Sequence, residues 1–102
     1  MDNKKRLEES KLFTPYKLGS VTLRNRVIRS AAFESMGKDF GPTQQLKDYH
    51  VSVARGGVGM TTVAYASINR SGISFNKQLW LRDEIVPALR DLTDAVHAEG
   101  AA

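Results

Sequence analysis

Two stretches of this chain repeat apolar residues at helical spacing, and each follows a short run crowded with β-branched and small residues. Leu46, Tyr49, His50 and Val53 fall at i, i+3, i+4 and i+7, one face of a helix. Thr43 precedes them as an N-cap, its hydroxyl placed to accept from a free backbone N–H of the first turn. Gly56-Gly57 ends the helix, because glycine reaches the left-handed conformation at little cost. Ile85, Leu89, Leu92 and Val96 share the face of a second helix, with Asp83 as its cap and Gly100 as its stop. Pro87 is tolerated there because it lies near the start, where a missing N–H matters least. Residues 26–32 predict a strand that gives way to small side chains, Ser30-Ala31-Ala32. Residues 58–66 predict another, nearly continuous in apolar and β-branched residues, as in a parallel sheet covered on both faces.

Ahead of these elements, residues 1–11 read as a mobile or weakly helical arm, and residues 12–23 as a small hairpin turning at Gly19-Ser20. Residues 67–82 show no periodicity and read as one long loop, a kind of segment that is uncommon inside a domain unless it does something. Ala101-Ala102 read as the start of a third strand. The order strand, helix, strand, helix, strand predicts a βαβα piece of a parallel α/β fold. The pattern alone does not separate a barrel from a doubly wound open sheet.

In either architecture ligands bind at the carboxyl ends of the strands, where the following loops converge. Residues 30–35 and 64–66 occupy those ends, and the 67–82 loop, carrying Phe75 and Trp80, hangs over the same face. Dinucleotide binding by a Gly-x-Gly-x-x-Gly turn fails, since Phe33-Glu34-Ser35-Met36-Gly37 follows the first strand and Gly56-Gly57-x-Gly59 precedes a strand rather than a helix. No metal site is expected: His50 and His97 lie on different helices with no carboxylate at ligand spacing. His50 reads as a packed side chain and His97 as a partner of its helix's negative pole. Glu34 has two readings. The first is a loop carboxylate paired at the surface with Arg29 or Lys38; the second is a catalytic carboxylate at a strand tip. Trp80 reads as a loop anchor.

Composition narrows the partners. The formal charge of +4 is scattered, and its one cluster, Lys4-Lys5-Arg6, is followed by Glu8 and Glu9, which is not the footprint of a nucleic-acid binder. Cysteine is absent, so thiolate chemistry and disulfides are excluded. No apolar run approaches the roughly 20 residues of a membrane span, and the polar N-terminus carries no secretory signal. A cytoplasmic protein without membrane or nucleic-acid partners is the expectation.

Several short motifs fall in one order: Leu12-Phe13-x-Pro15, Leu18-Gly19, Leu23-x-Asn25-Arg26-Val27-Ile28, Ala54-Arg55-Gly56-Gly57-Val58-Gly59-Met60 and Leu92-Thr93-Asp94-Ala95-Val96-His97. In order and spacing the chain from Leu12 onward resembles the old yellow enzyme family of NADH:flavin oxidoreductases, with a leaning toward its 2,4-dienoyl-CoA-reductase-like branch. The resemblance implies a (β/α)8 barrel, FMN at the barrel mouth, NADH or NADPH as hydride donor and an activated alkene or related small molecule as acceptor. It implies that Ser30, Ala31, Ala32 and Phe33 pack on the flavin, that Tyr65 meets it through its backbone, and that Ser35 contacts substrate. The chain also departs from the family. Ala31-Ala32 stands where a Pro-Met pair is common, Phe33 where threonine or cysteine tunes the flavin, and Tyr65 where a small residue is usual. Phe33 has no hydrogen bond to donate.

A complete barrel of this type needs roughly 250 residues, against 102 here. The expectation is an N-terminal portion, an arm at 1–11 and an incomplete FMN-binding barrel domain at 12–102, inactive alone and with its catalytic residues further on. Exposed strand edges imply self-association or homo-oligomers. The alternative is a non-enzymatic α/β module that associates with a complementary chain.

Overall fold

The computed structural model describes residues 3–102. Of the expected arm, Met1 and Asp2 lie outside the described residues. The remainder forms helix α1 (Asn3–Glu9), which buries none of its residues. The hairpin is present: β1 (Tyr16–Leu18) pairs antiparallel with β2 (Val21–Leu23), and Gly19 takes the positive φ of the turn. Its one buried side chain is Leu23, while Tyr16, Leu18 and Val21 on the same face stay exposed.

The βαβα order is also present. Strand β3 (Ile28–Arg29) runs parallel to β4 (Met60–Thr61), Ile28 opposite Met60 and Arg29 opposite Thr61, with helix α2 (Gln44–Arg55) between them in sequence. Thr43 caps α2 by accepting from Leu46 N–H at 3.1 Å, and the chain leaves the helix through Gly57 at φ 107°. The buried stripe of α2 is Leu46, His50 and Ala54. Tyr49 and Val53 flank it, half-buried. Helix α3 (Val86–Ala98) packs its Leu92 and Val96 with Leu46, Ala54, Leu79 and Ala101 into one core. Ala102 exchanges two 2.9 Å hydrogen bonds with β4, to Gly59 O and from Thr61 N–H, the pattern of a parallel neighbour beside Met60. The chain's last residues therefore do begin a further strand position.

Three expectations are corrected. Both parallel strands are two residues long rather than seven and nine, because only the stretch with a partner on the same sheet closes a ladder. Residues 67–82 are not one loop. Strand β5 (Ala66–Ser67) runs parallel to β6 (Leu79–Trp80), Ser67 lies buried, and Leu79 joins the core. Between them Asn69 caps a 3-10 turn at Arg70–Gly72, and the buried Gln78 accepts from Ser74 N–H at 2.8 Å. Each piece is too short to show a period. Finally, Asp83 does not cap α3. It opens a 3-10 turn, Asp83–Ile85, from which the chain runs into α3 with Pro87 in the first turn and no side-chain cap.

The two ends of the sheet are built differently. At the amino-terminal ends, Arg24 donates to Ala54 O (2.6 Å), Glu99 O (2.8 Å) and Val58 O (3.1 Å), so one guanidinium closes the carboxyl-terminal ends of both α2 and α3. The buried Asn25 donates to Gly57 O at 2.6 Å and accepts from Val27 N–H at 3.0 Å. Gly59 packs so closely on Asn25 that no side chain fits there.

Candidate functional site

At the carboxyl-terminal ends, the chain leaves β3 through Ser30, Ala31 and Ala32, all exposed, and reaches Phe33. It leaves β4 through Thr62, Val63 and Ala64 and reaches Tyr65. Since β3 and β4 are parallel neighbours, the two tips lie side by side. The Phe33 and Tyr65 ring centroids are 5.3 Å apart at 82°, an edge-to-face pair. Phe75, from the segment between β5 and β6, closes the cluster at 5.1 Å from Phe33 and 5.3 Å from Tyr65. Phe33 is 63% and Tyr65 51% exposed, so the cluster presents ring surface to whatever lies beyond the tips. Ser35 follows, half-buried, at φ 51°. The structure thus brings Phe33 and Tyr65 together, with Ser30, Ala31 and Ala32 leading to them and Ser35 just past. Phe75 is the member that reading by strand ends missed as a contact. Trp80 is an anchor: the Arg82 guanidinium lies 4.8 Å from its ring centre, and its backbone N–H donates to Phe40 O at 2.9 Å.

Beneath the tips lies a buried polar cluster. The Glu34 side chain is 3% exposed, and its Oε2 stands 3.1 Å from Arg29 Nη1 and 2.7 Å from His50 Nε2. Its other oxygen, Oε1, accepts from Ala64 N–H at 3.0 Å. The His50 side chain is fully buried, and its Nδ1 lies 2.8 Å from Thr61 Oγ1. Arg29 also donates to Thr62 O at 3.0 Å and lies 4.9 Å from the centre of the Tyr49 ring. The contacts at Glu34 Oε2 and His50 Nε2 are electrostatic, for neither atom has a hydrogen bond of good alignment. Burial pushes the His50 imidazole below its ordinary value, and Arg29 adds to that; Glu34 works against both. For the neutral ring that burial favours, the tautomer that suits both neighbours carries its proton on Nε2, toward the carboxylate, with Nδ1 accepting from the Thr61 hydroxyl.

This corrects two expectations. Glu34 does pair with Arg29, but in the interior and not at the surface. His50 is packed, but as a polar group bonded to Thr61 through Nδ1 and set against the Glu34 carboxylate at Nε2. A buried polar side chain on an apolar helical face needs a partner, and that requirement was the signal pointing to a carboxylate at the adjoining strand tip. Among the described residues no group of three or more His, Asp or Glu side chains could hold a metal ion, and no helix is long and apolar enough to cross a membrane.

The exposed rings and small side chains fit a flat, largely apolar ligand laid against the two tips. The chain is 44% identical over 90 residues to 4,4'-dithiodibutanoate disulfide reductase of Rhodococcus erythropolis, covering 88% of this chain and 22% of that protein. Among solved structures it superposes with a TM-score of 0.84 on the Old Yellow Enzyme from Pichia sp. AKU4542, at 21% identity over 93% of this chain and 25% of that one. It superposes with a TM-score of 0.78 on morphinone reductase in complex with tetrahydroNAD, at 26% identity over 91% of this chain and 25% of that one. The chain therefore spans about a quarter of the length of these relatives, and its βα units correspond to part of a (β/α)8 barrel. Residues 11–102 match the model of one family throughout, and the chain belongs to the NADH:flavin oxidoreductase / NADH oxidase family, whose cofactors are FMN and NAD(P)H.

Proposed function

We propose that this chain supplies the first two βα units of an FMN-dependent NAD(P)H oxidoreductase that reduces activated alkenes, and that the flavin lies against the tips of β3 and β4. The observation that carries this reading is the juxtaposition of those tips: Phe33 and Tyr65 in edge contact, both exposed, approached through Ala31 and Ala32. FMN, when bound there, would supply the hydride-transfer chemistry between nicotinamide and acceptor. The residues of this chain bind and orient. Ser30, Ala31 and Ala32 allow close approach to backbone because their side chains are small. Phe33 and Tyr65 offer an apolar wall that excludes water from one side of the ring. Phe33 donates no hydrogen bond, so in this protein control of the flavin through that side chain is steric. Ser35, one residue past Glu34, is placed to meet the substrate.

The complete protein that carries this sequence is expected to purify yellow, with one FMN per chain, and to oxidise NAD(P)H in the presence of an α,β-unsaturated ketone. The 102 residues alone are expected to do neither, because two βα units make only one wall of such a pocket. A complete protein that holds no flavin when supplied with it would overturn the reading. Stoichiometric flavin on the 102-residue chain would overturn the expectation about the isolated units.

A further inference from the structure

Each strand tip turns away through a non-glycine residue in the left-handed region, Ser35 (φ 51°) directly after Glu34 and Tyr65 (φ 55°) directly after Ala64. Such backbone is strained for a residue with a side chain and persists only where the surroundings over-determine it. The hydrogen bond from Ala64 N–H to Glu34 Oε1 joins the two residues immediately before those turns. The carboxylate that accepts it is held from three elements: Arg29 on β3, His50 on α2 and, through His50, Thr61 on β4. An apolar side chain could fill this interior without burying charge. The charged one is aimed at a backbone N–H of the opposite tip.

We infer that Glu34 is a positioning residue, whose buried carboxylate ties the β3 tip to the β4 tip and so fixes the spacing of the wall formed by Phe33 and Tyr65. The inference rests on the flavin reading above for what that wall contacts. It assigns Glu34 no part in the chemistry, since its carboxylate is occupied by Ala64, Arg29 and His50 beneath the surface.

The test compares Glu34→Ala and Glu34→Gln in the complete protein that carries this sequence. It reads hydrogen exchange at the Ala64 amide, the FMN dissociation constant and the ring nitrogen resonances of His50. Glu34→Ala is expected to speed Ala64 exchange and weaken FMN together, each by about tenfold, the worth of one hydrogen bond to a charged group. Glu34→Gln is expected to recover part of both losses: its carbonyl oxygen still accepts from Ala64, while its NH2 takes the place of Oε2 and no longer satisfies Arg29. Its side-chain NH2 would then face His50, and the ring proton should move from Nε2 to Nδ1. That exchange would show the amide seated where the carboxylate was; a merely structural role would leave FMN affinity unlinked to Ala64 exchange. Unchanged Ala64 exchange in Glu34→Ala would overturn the inference, as would faster exchange with FMN affinity untouched. If Glu34→Ala does not fold, Glu34→Gln decides: weakened FMN with Ala64 still protected would overturn it. A wild-type protein that holds no FMN would defeat the flavin reading alone, leaving Ala64 exchange to report on the tie.

Discussion

The amino-terminal and carboxyl-terminal ends of the β3–β4 pair use the same materials to opposite effect. At the amino-terminal end, polar groups are matched to backbone partners: Arg24 to three carbonyls, Asn25 to a carbonyl and an N–H, and a glycine wherever backbone must approach backbone. At the carboxyl-terminal end, large rings face outward, two non-glycine residues take left-handed backbone, and a carboxylate and a histidine are buried together. The first end obeys every local rule. The second breaks several within a few residues, which is where a binding site is to be sought. In parallel α/β folds the amino-terminal face holds the structure together while the opposite face carries the chemistry.

That contrast can be broken or sharpened by substitution. The largest effect is expected from Arg24→Ala, which leaves the ends of two helices without their shared cation. Loss of about 2–4 kcal/mol is expected in urea unfolding, with the FMN affinity of the folded protein unchanged. A loss of flavin affinity without loss of stability would erase the distinction between the ends.

A smaller effect is expected at the buried histidine. Its folded-state pKa lies below the ordinary 6.5 because burial disfavours the charged ring, with Arg29 acting the same way and Glu34 opposing. The unfolded chain therefore takes up this proton at higher pH than the folded one. Its contribution to stability is constant above about 6.5 and declines as pH falls from there toward the folded pKa. Thermal unfolding followed from pH 8 to pH 5 should show this decline, and His50→Gln should flatten it. A wild-type melting temperature that rises on acidification through that window would contradict the assignment.

The smallest effect is expected at Ser35. Glycine there relieves left-handed backbone at some entropic expense in the unfolded chain, for a net gain of at most about 1 kcal/mol, whereas Ser35→Ala should gain nothing. If Glu34 sets the tip spacing, the Ser35→Gly protein should be slightly more stable and bind FMN slightly less well. Equal gains from both substitutions would show that the turn is not strained.

What could be read from the sequence was local. The Thr43 cap, the left-handed Gly57, the Gly19 turn and the apolar faces of α2 and α3 each depend on residues within a few positions of one another, and each is where its spacing put it. The tips were legible too, because a parallel βαβ order brings strand ends together whatever their side chains. The Glu34–His50 contact was not: it joins a loop to a helix, and either residue alone has a more ordinary reading. The pairing of β5 with β6 was hidden for another reason. Two-residue strands leave no period, and Leu79 is marked as core only once Ala66 has been placed beside it.

The bond from Arg24 to the Glu99 carbonyl spans 75 positions. A segment near the start of the polypeptide is thus completed by one made much later. During synthesis Arg24 can reach the Ala54 and Val58 carbonyls as soon as α2 and the turn after it are made, but its third carbonyl comes only with Glu99. Contacts of such long range slow folding, and until α3 emerges Leu46 and Ala54 of α2 lack the Leu92 and Val96 with which they share one core.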